Sequence, residues 1–259
     1  MGASLKTHSQ GQTLVLTISN PEHRNALGPD IYAAGVEALS VAESNSDIRT
    51  VVITGEGAHF CAGGNLQRLL GNRQQAPQVQ AESIEGLHNW IETIRAFPKP
   101  VIAAVEGACA GAGFSLALAC DLIVAARDAV FVMAYSNVGL SPDGGATWSL
   151  MRALPRATAL QLLLAGERTD ASRLHQLGVV TQVSDPSCAM ADALSLADRL
   201  NARAPNALAS IKELANDAIT SALHTQLAAE RDHFVRNLHH ANGGEGIQAF
   251  LERRPPSYR

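Results

Sequence analysis

The chain has 259 residues, a formal net charge of −4 and a pI near 6.1, enough length for one large core without disulfide staples and no general positive field to gather a nucleic-acid backbone. Charged residues make up 17% and apolar residues 46%, an apolar balance against the roughly 25% charge of ordinary soluble domains that predicts surface buried against other subunits. The four cysteines, Cys61, Cys109, Cys120 and Cys188, form no C-x-x-C pair, and three lie in apolar or small-residue runs, as reduced cytoplasmic thiols do.

The chain opens Met1-Gly2-Ala3-Ser4-Leu5-Lys6, with no long apolar run and with Lys6 where a myristoylation signal carries Ser or Thr. No apolar run approaches the ~18 residues of a membrane span, so the expectation is a soluble cytoplasmic protein. Thr13 to Ser19 alternates as a strand does, a turn follows over Asn20 to Asn25, and a helical pattern runs from about Pro29 to Ser44. Thr50 to Thr54 is a second β-rich run entering a glycine-dense loop. Residues 68 to 82, rich in Gln, Asn and Ser, read as a mobile substrate-side segment ahead of a helix over Ser83 to Ala96, ended by Pro98 and Pro100.

Val101 to Val105 is a buried strand, Gly107 to Gly113 a small-residue segment, and a helix begins near Ala112 and ends by Asp121. Leu122 to Ala126 is a further strand. Strands alternating with helices to about residue 185 predict an α/β layered architecture with crossover connections. From about Pro186 the pattern is helical, with an appendage at 200 to 259.

Three segments carry candidate chemistry. Phe60-Cys61-Ala62-Gly63-Gly64-Asn65-Leu66 follows a strand, and its small residues expose backbone N–H groups to a ligand, although the same loop serves equally well as a tight connection. Gly107 through Ala117 again follows a strand and feeds a helix, whose unpaired N-terminal N–H groups suit an oxyanion; close packing is its other reading. A dinucleotide fingerprint is excluded because Leu116 stands where its last glycine belongs, and Ser115, ten residues beyond Val105, is too far from the strand end for a hydrolase nucleophile. In Val138 to Trp148, Asp143 is placed either to cap a helix or, desolvated by Leu140 and Trp148, to act as a general base. The nine histidines show no metal-binding spacing.

Taken in order, Asn20-Pro21 with Asn25-Ala26-Leu27, the Phe60 to Leu66 loop, Pro98 to Val105, Ala110-Gly111-Ala112-Gly113 and Pro142-Asp143-Gly144-Gly145 resemble the crotonase superfamily of enoyl-CoA hydratases and isomerases, from about Thr13 to Arg254. The resemblance implies a spiral of ββα units over residues 1 to 199, a C-terminal helical trimerisation region over 200 to 259, and homotrimers or dimers of trimers. It implies an acyl-CoA thioester as substrate, with no separate cofactor, metal, nucleic acid or membrane. The N–H groups of Ala62 and Ala112 would hold the thioester oxygen. Arg24, Ala26 and Leu27 would border the pantetheine and phosphates, and Asn65, replacing the family's usual Asp, would join Leu66 at the adenine. Gly63, Gly64, Gly111, Ser115 and Tyr135 would belong to the CoA and acyl pocket, and Phe250 with Arg253 would reach the CoA of a neighbouring subunit.

Ser115 and Tyr135 stand where the true hydratases carry two glutamates, so neither position offers a carboxylate to activate water. Phe131 to Ser136 followed by Gly139 to Asp143 looks more like the epoxyacyl-CoA isomerases of phenylacetate degradation and their relatives, which implies Asp143 as a proton shuttle on an unsaturated acyl-CoA. A hydratase with nonstandard water positioning and a catalytically silent scaffold are the alternatives. The acyl pocket is expected to be shaped by residues 68 to 82, Phe114, Met133, Tyr135 and Trp148.

Overall fold

A computed structural model describes residues 3–259; Met1 and Gly2, part of the N-terminal signal reading, lie outside the described residues. Strand β1 (Ser4–Gln10) turns back antiparallel onto β2 (Thr13–Ser19), pairing Ser4 with Ser19 and Gln10 with Thr13. Helix α1 (Pro29–Ser44) then crosses to β3 (Thr50–Gly55). Residues expected to be mobile are instead two helices, α2 (Leu66–Asn72) and the start of α3 (Pro77–Ala96). The Asn65 carboxamide caps the first by accepting the Arg68 N–H at 3.1 Å, and Pro77 begins the second, where its missing N–H costs no helical bond.

After α3 the chain alternates between two sheets. Strand β4 (Val101–Val105) lies in the large sheet, β5 (Ala108–Ala110) in a small one, and α4 (Ala112–Ala119) returns the chain to β6 (Leu122–Ala126). Strand β7 (Val130–Val132) re-enters the small sheet and leads to α5 (Ala146–Ala153) and α6 (Arg156–Ala165). The short β8 (Thr169–Asp170), α7 (Ala171–Gln176) and β9 (Gln182–Ser184) close both sheets. The large sheet runs β1-β2-β3-β4-β6-β9, parallel except for β1, and the small one β5-β7-β8. Repeated strand, strand, helix steps make this the ββα spiral of the crotonase fold.

The large sheet is covered on both faces, which is why its inner strands read as unbroken apolar runs. Leu16, Ile18, Val51, Ile53, Val101 and Ala103 point toward α1, α3 and α4. Their alternating neighbours Val15, Val52, Ile102 and Val124 pack on Ala193 and Ala197 of α8 (Ala189–Asn201). The last helices, α9 (Pro205–Ala218), α10 (Leu223–Leu238) and α11 (Ala241–Leu251), leave Leu223, Phe234, Phe250 and Leu251 largely exposed. Among the described residues no helix is long and apolar enough to cross a membrane.

Candidate active site

The loop between β3 and α2 is shaped from behind by two asparagines. Asn25 is fully buried in a left-handed conformation, φ 59°, and its Nδ2 donates to the carbonyls of Glu56 and His59 at 2.9 and 2.6 Å. Its Oδ1 accepts the Asn20 N–H at 3.0 Å, while Asn20 Nδ2 donates to the Ala26 carbonyl at 2.9 Å. The Asn20 to Leu27 motif thus supplies buried side-chain partners to backbone groups of the loop.

Past this turn the loop runs parallel to β5. Cys61 N–H donates to the Ala108 carbonyl at 3.0 Å, and Ala110 N–H donates to the Cys61 carbonyl at 2.9 Å, a bridge that sets Cys61 beside Cys109. Three residues further along each chain stand Gly64 and Ala112. Gly63, at φ +96°, makes the approach possible: a Cβ there would lie 2.8 Å from the Ala110 carbonyl oxygen and 3.4 Å from the Ala112 nitrogen.

This register corrects the expectation for Ala62. Its N–H donates to the Arg24 carbonyl at 2.9 Å and is not free to hold a ligand. The Gly63 N–H faces Cys61 Sγ at 3.3 Å, and the Gly111 N–H donates to the Val132 carbonyl at 2.9 Å. The N–H groups of Gly64 and of Ala112, the first residue of α4, find no acceptor among the described residues. Both residues line one cleft of ≈ 1070 Å³.

Asp143 lines the same cleft and is its one acidic side chain among the described residues. It is not a helix cap: α5 starts after Gly145, and Asp143 contributes only its carbonyl oxygen, which accepts the Ala146 N–H at 3.3 Å. Its carboxylate instead accepts the Tyr135 hydroxyl proton at Oδ1, 2.6 Å away, and Oδ2 has no donor among the described residues. Ser115 Oγ, behind this pair, donates to the Asp143 carbonyl at 2.9 Å and lies 3.3 Å from the Tyr135 hydroxyl. Gly144, at φ +59°, lets the Asp143 segment press onto α4, since a Cβ there would meet Ser115 Cβ at 2.9 Å. Burial, reinforced by the adjacent Asp143, raises Tyr135 well above the ordinary tyrosine range, so the phenol keeps its proton and serves as a donor.

The remaining expected residues sort into lining and support. Gly63, Gly64, Leu66, Gly111 and Tyr135 line the cleft. Ser115 is buried behind it, and Arg24, Ala26 and Leu27 support the loop from outside, Leu27 N–H donating to the Gly63 carbonyl at 2.8 Å. The Asn65 side chain is spent as the α2 cap. Phe250 is 82% exposed on α11 and, like Arg253, lies outside the cleft of its own chain. Trp148 does not desolvate Asp143: it is held between the guanidinium groups of Arg95 and Arg152, 4.5 and 4.1 Å from its ring centroid. Phe114 and Met133 are buried in the core behind the cleft.

The apolar wall is supplied instead by α2 and α3 and the 134–143 loop, through Leu69, Ile84, Leu87 and Leu140. Tyr32 and Arg68, which the sequence reading did not single out, also line it. Their only sequence signal is helical spacing that turns them inward, indistinguishable from core packing for Tyr32 and from a solvated face for Arg68.

The enoyl-CoA hydratase/isomerase family model matches residues 8–259. The chain is 38% identical over 254 residues to 1,2-epoxyphenylacetyl-CoA isomerase of Escherichia coli (strain K12), covering 97% of each protein. It is 33% identical to 2,3-dehydroadipyl-CoA hydratase of the same organism, covering 96% of each. A crystal structure of an enoyl-CoA hydratase from Polaromonas sp. JS666 superposes with a TM-score of 0.98 at 70% identity, over 99% of this chain and 100% of that one.

Proposed function

The chain belongs to the enoyl-CoA hydratase/isomerase family of enzymes, and from that premise we propose that it is an acyl-CoA isomerase that moves a double bond through a dienolate. The observation that carries this reading is the single carboxylate in the cleft, held at Oδ1 by Tyr135 with Oδ2 left open. In a β,γ-enoyl thioester, Asp143 takes a proton from the carbon next to the carbonyl. The electron pair spreads through the dienolate onto the thioester oxygen, which accepts hydrogen bonds from the Gly64 and Ala112 N–H groups. The carboxyl group then returns the proton to the γ carbon, giving the conjugated thioester and regenerating the carboxylate.

Each preorganised N–H donor to a developing oxyanion is worth ~3–4 kcal/mol in barrier height, and one positioned base adds roughly 10²- to 10⁴-fold. The reaction needs one acid–base group, and one is present. Water addition needs a carboxylate to activate water as well as a proton for the carbon, and Ser115 and Tyr135 provide no second one. Two of the three relatives above carry a hydratase name, and labelled water separates the readings: hydration places solvent oxygen in the product, isomerisation does not.

The exposed apolar residues of α9 to α11 fit burial against further copies of the chain. In such a trimer or dimer of trimers Phe250 and Arg253 would meet a neighbour's CoA, in a protein working in the cytoplasm without a separate cofactor. The deciding experiment mixes purified protein with a β,γ-enoyl-CoA and follows the conjugated thioester by ultraviolet absorbance. Asp143→Asn should lower the rate ~10²- to 10⁴-fold, and a rate unchanged by that substitution sinks the assignment.

A further inference from the structure

Arg68, in the first turn of α2, is half-buried and lines the cleft. Nη1 donates to Ser83 Oγ on α3 at 2.7 Å, and the guanidinium lies against the phenol of Tyr32 on α1. Nε is buried without an acceptor, and among the described residues no carboxylate lies within ion-pair distance of the guanidinium. Tyr32 cannot neutralise it. Burial pushes that phenol up to about 12, with Arg68 pulling in the opposite direction and Asp143 adding to the rise, so the ring stays protonated and stands under the influence of both charged groups.

A half-buried guanidinium in a cleft also lined by Leu69, Ile84 and Leu87, with a neutral hydroxyl for partner and a buried, unused Nε–H, is poorly compensated. A bound anion removes that deficit, and the planar fork of donors matches a carboxylate. We propose that Arg68 is a specificity residue: it recognises a second carboxylate on the acyl group, and the natural substrate is the CoA thioester of an unsaturated dicarboxylic acid. The inference rests on the acyl-CoA reading of the cleft and names the substrate class that reading leaves open. A phosphate of CoA itself offers similar chemistry, so the test separates the two sources.

Two saturated acyl-CoAs of equal chain length, one ending in a carboxylate and one in a methyl group, cannot isomerise, so calorimetric titration reads their binding independently of turnover. The wild-type protein should bind the carboxylate-ended thioester ~10- to 100-fold more tightly, the range of a charge-assisted hydrogen bond, and Arg68→Gln should bring the ratio close to one. Arg68→Lys, which keeps the charge but not the fork, should show a smaller preference than wild type and serves if the Gln variant does not fold. Equal affinity of wild type for both ligands overturns the proposal. So does a loss in Arg68→Gln by the same factor for both, which marks a helix strut or a contact to CoA phosphate. Binding of neither ligand overturns the acyl-CoA reading itself.

Discussion

Tyr135→Phe isolates one hydrogen bond while leaving the shape of the cleft nearly unchanged. The phenol donates to Asp143 Oδ1 at 2.6 Å and is almost wholly buried, with Ser115 Oγ as its other polar neighbour at 3.3 Å. Ser115 keeps its bond to the Asp143 carbonyl after the substitution, so the backbone stays anchored while the carboxylate loses its one side-chain donor. A hydrogen bond to a charged group contributes ~1.5–3 kcal/mol, and if the carboxylate works only in the geometry this bond fixes, kcat falls roughly 10- to 100-fold. The Gly64 and Ala112 N–H groups proposed to hold the thioester are untouched, so KM should move little. The decisive comparison is a double-mutant cycle in the β,γ-enoyl-CoA assay. If Tyr135 acts through Asp143, the Asp143→Asn, Tyr135→Phe double variant is no slower than Asp143→Asn alone, because there is no carboxylate left to position. Losses that multiply would refute the reasoning and make the phenol an independent participant.

Ala112→Pro removes one proposed oxyanion donor without breaking a helical bond, because Ala112 is the first residue of α4 and its N–H has no acceptor among the described residues. The expected result is a loss of ~10²- to 10³-fold in kcat, with a melting temperature close to wild type. Lys212→Met tests how the C-terminal helices are tied to the core. Lys212 Nζ lies 2.8 Å from Asp121 Oδ2, which also accepts the Val101 N–H at 2.7 Å. Removing the ammonium strands a partly buried carboxylate and should cost ~1–3 kcal/mol at neutral pH by denaturant titration, below the figure for a fully enclosed pair. Burial already raises the Asp121 carboxyl despite Lys212, and losing the lysine raises it further. A carboxyl raised on folding binds its proton more tightly in the folded state, so the penalty is complete above the folded value and vanishes as pH falls below the unfolded one near 3.8. The stability gap between variant and wild type should therefore narrow on acidification, and a gap that widens contradicts this account.

The inner strands were legible because parallel strands buried on both faces leave continuous apolar runs, as in Thr50 to Thr54 and Val101 to Val105. Strand β1 was not, since Ser4–Gln10 is an exposed edge whose polar side chains carry little pattern. Residues 68 to 82 were misread for a related reason. Their Gln, Asn and Ser content mimics a mobile loop, while the ordering comes from the Asn65 cap, Pro77 at a helix start, and the Arg68–Ser83 contact between the two helices. Asp143 was legible as an acid in a small-residue loop, but that it holds the Tyr135 hydroxyl instead of capping α5 was not, because the approach of Tyr135 depends on how β7 enters the small sheet.

The proposed oxyanion donors show most clearly where sequence pattern stops and tertiary contact begins. Phe60 to Leu66 announces a loop with accessible amides, yet nothing within it says which amide is free. That is settled by the parallel bridge of Cys61 to Cys109, which spends the Cys61 N–H on Ala108, and by the buried Asn20–Asn25 turn, which places the Arg24 carbonyl where Ala62 must donate. With those bonds made and the Gly63 N–H turned toward Cys61 Sγ, Gly64 is left with an amide that has no partner among the described residues. The same bridge fixes its position relative to Ala112 at the helix start, so a change that slips the Cys61–Cys109 register by one residue would disarm the site while leaving every residue expected at the oxyanion in place.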